Sequence, residues 1–90
     1  MNQKEIITIS NAILESKNEL FFKRHVLEKL DENNQKRFLE IWQRTLSFEN
    51  WNYTDLNIGF EKTVHLLKTE FQLNEEAAHA LASKASYEWK

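Results

Sequence analysis

Apolar residues recur at helical spacing along almost the whole chain. Ile6, Ile9 and Ile13, flanked by Ile7 and Leu14, predict a first helix over 3–15. The Ile-Ile-Thr-Ile run within it has β-propensity, but the chain holds no second strand candidate for it to pair with. Ser16-Lys17-Asn18-Glu19 reads as a capping box, with the Ser hydroxyl and the Glu carboxylate each serving the other's backbone amide. It predicts a second helix over 17–30, with Leu20, Leu27 and Leu30 on one face and Phe22 and Val26 beside them. The alternative is one long helix running through Ser16.

Asp31-Glu32-Asn33-Asn34 is the next break, where Asp31, Asn33 and Asn34 each offer a short side-chain acceptor for exposed amides. A third helix over 32–47 presents Phe38, Leu39, Trp42 and Leu46. Residues 48–54 lack helical period and read as the longest irregular stretch. Thr54 or Asp55 caps a fourth helix; with Thr54 as cap, Tyr53 and Ile58 take the two positions of a hydrophobic staple. Leu56, Phe60, Val64, Leu67 and Phe71 stripe that helix to residue 72. Asn74 caps a last helix to residue 88, whose first turn holds Glu75 and Glu76, favoured there by the helix dipole. Ala77, Ala78, Ala82 and Ala85 around Leu81 make its inner face small enough for close helix approach. The pattern predicts an all-α fold: one helical domain over 1–90, a compact bundle of four to five short helices with short connections.

Composition narrows the chemistry. There is no cysteine, no proline and one glycine, Gly59, against six Phe, three Trp and two Tyr. Disulfides, thiol catalysis, thiolate metal sites and glycine-rich phosphate loops are thereby excluded. No secretory or membrane-spanning run is present, so a cytoplasmic location is the simplest expectation. The net charge is −2, too balanced to make nucleic acid or an anionic membrane the default partner. The halves differ, with 8 basic and 7 acidic residues in 1–45 and 4 against 7 in 46–90, so a basic partner suits the second half better.

Few constellations carry chemistry. Glu76 and His79 have the E-x-x-H spacing of di-iron bundles, and Glu61 and His65 sit on the preceding helix. The second such motif and two further carboxylates are missing, so no metal or cofactor is expected. His25 has no nucleophile or base pattern beside it, and the chain is not expected to be an enzyme. Lys23, Arg24, Lys29, Lys36, Arg37 and Arg44 make the second and third helices basic. They alternate with acids at i, i+4, as a solvated face does.

The aromatic segment draws most interest. Phe48, Trp51 and Tyr53 alternate with Glu49, Asn50, Asn52 and Asp55. Either these aromatics fold back onto the core as lids, or they form a binding surface with a polar rim. On the second reading Phe48, Glu49, Trp51, Tyr53 and Asp55 contact a partner. Tyr87 and Trp89 form a second, weaker aromatic patch.

The expected function is a protein-binding module, in the form of a bacterial inhibitor, antitoxin or immunity protein that blocks one protein partner, such as a basic toxin or enzyme. Helical immunity proteins resemble this chain in length and composition only. Two alternatives stand beside it: a small nucleic-acid-associated regulator using the basic side of the second and third helices, and a homodimeric adaptor joined through the Ile-rich first or Ala-rich last helix.

Overall fold

In the computed structural model, residues 2–52 and 55–88 are described, and they form six helices and no strand. These are α1 (Gln3–Ser16), α2 (Phe22–Glu28), α3 (Glu32–Thr45), α4 (Phe48–Trp51), α5 (Leu56–Glu70) and α6 (Glu75–Glu88). The all-α bundle expected from the periodicity is therefore present, with one short helix more than its upper count. The fold is compact, with a radius of gyration of 12.2 Å, close to the roughly 12 Å that this length implies. None of the described helices is long and apolar enough to cross a membrane.

Capping chemistry fixes the helix starts. Asn2 and Glu5 form a reciprocal capping box on α1, at 2.9 and 3.2 Å. Asp31 Oδ1 accepts the Asn34 amide at 2.9 Å, Asp55 Oδ1 accepts the Asn57 amide at 2.9 Å, and Asn74 Oδ1 accepts the Ala77 amide at 2.8 Å. Each satisfies a donor that the first helical turn leaves unpaired. Thr54 and Tyr53, the alternative cap and its staple partner, lie outside the described residues.

The Ser16–Glu19 capping box does not form. Ser16 belongs to the last turn of α1 and is fully buried. Its carbonyl, not its hydroxyl, accepts the Glu19 amide, at 3.0 Å. The chain then passes Leu20 and Phe21 before α2 begins at Phe22, so the second helix is shorter than 17–30. Phe22, Val26 and Leu30 face the core, whereas Leu20 is 89% exposed. Leu20, Phe21 and Phe22 are consecutive, so no single helical face could have buried all three.

The core runs between the small face of α6 and the large side chains around it. Ala77, Ala78, Leu81, Ala82 and Ala85 are all buried, and α6 packs on α1, α3 and α5. Ile6, Ile9, Ala12 and Ile13 close the core from α1. Phe22, Phe38 and Trp42 form an aromatic cluster, with ring centroids 5.8–6.4 Å apart. Between α5 and α6 the chain turns through Gln72, at φ 60°, the one non-glycine residue in the left-handed region among those described. The Leu73 amide then bonds back to the Leu67 carbonyl at 3.2 Å. This is the place where a helix usually ends on glycine.

Replacing Gln72 with Gly should raise unfolding free energy by about 0.5–1 kcal/mol, because the Cβ penalty of the left-handed conformation disappears. Urea denaturation checks it, and an unchanged or lower midpoint contradicts it.

Candidate functional site

The candidate binding surface read from the sequence spans Phe48 to Asp55, and the geometry of its residues 48–51 follows from the end of α3. The last carbonyls of a helix have no intrahelical donor. Here the chain turns at Ser47 and folds straight back as α4, so 48–51 is helical rather than irregular. Asn50 Nδ2 donates to the Arg44 carbonyl at 2.7 Å and to the Thr45 carbonyl at 3.3 Å. Trp51 Nε1 donates to the same Thr45 carbonyl at 2.8 Å. Trp51 is 5% exposed. Its ring lies against Gly59 of α5, where an added Cβ would stand 2.8 Å from Trp51 Cε3 and 2.9 Å from the Asn50 carbonyl oxygen. Of the two readings of this aromatic segment, Trp51 therefore follows the lid. Its indole serves the core and cannot be offered to a partner without opening the fold.

The remaining candidates divide. Tyr53 lies outside the described residues, as does the side chain of Phe48. Glu49 and Asp55 are exposed. Glu49 pairs with Arg44 at 2.8 Å, and Asp55 caps α5. Glu49 and Glu61 line an open depression together with Asn50, Ile58, Lys62 and His65. Some of the other pattern residues have partners within the fold. His79 meets the Phe60 ring edge-on at 5.3 Å, and no group of three metal-capable side chains occurs among the described residues. Of the six cations on α2, its C-cap and α3, Arg24 pairs with Glu28, Arg37 with Glu5 and Glu40, and Arg44 with Glu49 and Glu70.

A different surface gathers the three most exposed large hydrophobic side chains among the described residues. Leu20 is 89%, Phe21 62% and Tyr87 63% exposed, and the three line one groove of about 650 Å³. Its floor is Phe22, Trp42 and Leu46, an extension of the core aromatic cluster. Its rim is Lys23, Arg24, Lys84 and Glu88, and Lys84 Nζ stands 5.7 Å from the Phe22 ring centroid. The volume falls within the roughly 300–1,000 Å³ of ligand-binding clefts. Large apolar groups gathered at one place on a soluble surface mark an interaction site more often than scattered ones do. Tyr87 was visible in the sequence as part of a weak C-terminal patch; Trp89, its companion there, lies outside the described residues. Leu20 and Phe21 were missed because their positions fitted a longer second helix. The signal that could have found them is the unbroken Leu20-Phe21-Phe22 run.

No family model, no curated protein and no solved structure matches this chain.

Two sets of substitutions separate the surfaces. Trp51→Ala should cost about 3–5 kcal/mol and Trp51→Phe about 1–2, since Phe keeps the apolar bulk but not the indole donor. Leu20→Ser and Phe21→Ser should each move stability by no more than about 0.5 kcal/mol. Thermal and urea denaturation read both, and a strongly destabilised Leu20 or Phe21 variant contradicts the assignment of these side chains to the surface.

Gly59→Ala should lose about 1–2 kcal/mol, because the clash with α4 outweighs the roughly 1 kcal/mol gained in helix propensity. A stabilised Gly59→Ala variant would contradict the close approach of α4 and α5.

Proposed function

We propose that this chain is a small protein-binding module that acts by covering a surface of one partner protein. The observation that carries the reading is the groove framed by Leu20, Phe21 and Tyr87, where large apolar groups face solvent beside a floor continuous with the core. Their burial against a partner would be favourable by about 25 cal/mol per Å² of apolar area, before the costs of association. Aromatic anchors at the centre of such a patch supply area with few rotors to immobilise. Occlusion, as practised by inhibitor and immunity-type proteins, is the form of this reading that a preformed patch on a small bundle serves most directly. The depression that Glu49 and Glu61 line, with Lys62 and His65 beside them, is where a basic partner would be met instead. For nucleic acid the support is weaker, because Arg24, Arg37 and Arg44 already face carboxylates and so offer a phosphate backbone less positive potential.

Affinity capture from host lysate, comparing the wild-type chain with a Leu20→Ser, Phe21→Ser double variant of unchanged circular dichroism, tests the reading. A stoichiometric protein that is retained by the wild type and lost by the variant is expected. Equal retention by both, or capture of nuclease-sensitive material only, would overturn it.

A further inference from the structure

The rim of the groove carries information about what enters it. The chain is acidic overall, at −2, yet the cations Lys23, Arg24 and Lys84 border the groove against the single carboxylate of Glu88. Lys84 and Tyr87 also line an adjoining depression, which adds Lys17 and Asn18 to the same side of the molecule. Arg24 is neutralised by Glu28 at 3.2 Å. Lys17, Lys23 and Lys84 have no carboxylate partner among the described residues, and Lys84 instead stands by the Phe22 ring. With Arg24 set against Glu28, Lys17, Lys23 and Lys84 stand against the single carboxylate of Glu88, and this excess of positive charge borders apolar anchors.

Resting on the protein-binding reading above, we propose that the occupant of the groove is an acidic segment of a partner protein, with large apolar side chains flanked by Asp or Glu. Leu20, Phe21 and Tyr87 take the apolar anchors over the floor of Trp42 and Leu46. Lys17, Lys23 and Lys84 face the flanking carboxylates at the rim, where opposite charges speed encounter and disfavour cationic competitors. The rim pairs remain solvated, so charge acts here through selection and on-rate, and apolar burial holds the complex. Segments with the same anchors flanked by Lys or Arg are rejected by like-charge juxtaposition. An exposed segment of the partner supplies such a ligand without any change in this fold.

A displayed library of random peptides, selected on the intact chain, tests the charge and the location together. Enriched sequences should carry net negative charge around Leu, Phe or Trp. Their synthetic counterparts should bind about tenfold more weakly to a Lys23→Glu, Lys84→Glu variant and lose binding to Leu20→Ser, Phe21→Ser. Raising salt should narrow the first difference and leave the second. Enrichment of cationic or uncharged peptides that still depend on Leu20 and Phe21 would overturn the charge assignment and leave the protein-binding reading standing. Enrichment of no peptide that depends on Leu20 and Phe21 would overturn both. Binding to vesicles containing phosphatidylserine, with no such peptide selected, would assign the groove to an anionic lipid surface and overturn the proposal.

Discussion

The architecture depends on how the C-terminal end of α3 is finished. Helix ends leave carbonyls that must find donors, and at Thr45 two side chains from the following turn supply them. Trp51 can reach that carbonyl only if α4 folds back at once, and α4 can lie there only because α5 presents Gly59 beneath it. The sole glycine, a buried tryptophan and the end of a neighbouring helix thus define one another. Its conformational freedom is not what this glycine contributes, since no glycine among the described residues has positive φ. It contributes the absence of a side chain where two helices meet.

That interlock determines which aromatic residues remain for recognition. An amphipathic pattern identifies a face, but a residue in a connection has no face until the connection's own geometry is known. Trp51 and Leu20 illustrate both directions of this. Trp51 stood in a segment with no helical period and was nonetheless drawn inward, by the donor on its ring and the space over Gly59. Leu20 had the spacing of a core position and was left outside, because α1 carried on through Ser16 and the turn consumed the residues that would have begun α2.

Much of the rest was legible. The Ile6, Ile9, Ile13 stripe, the caps at Asp31, Asp55 and Asn74, and the small inner face of α6 follow from local periodicity and from side chains bonding to nearby amides. Such features span a few residues, so the sequence shows them directly. The groove is not of that kind. It needs α2, α3 and α6 in their final positions, and its parts are distant in sequence: Leu20 and Phe21 between the first two helices, Trp42 and Leu46 at the end of the third, Lys84 and Tyr87 on the last. Its charge was equally hidden. The second half of the chain is the acidic one by count, yet Lys84 from that half joins Lys17 and Lys23 from the first to make a positive rim.

The course of α1 along α6 has a consequence for the order of folding. Ile6, near the start of α1, shares a cleft with Phe71 and Gln72, just ahead of α6, while Lys17, just beyond α1, shares one with Ser83 and Tyr87. The two helices therefore run side by side in the same direction, with four helices of intervening chain. Closing that pair fixes the longest loop in the bundle, and its entropic cost is met before its contacts form. The α5–α6 hairpin, joined by a short turn, can assemble without it. On a growing chain α2 and α3 can meet α1 early, but the part of its isoleucine face that α6 covers stays open until α6 has been made. Residues made early in this bundle thus complete their packing late.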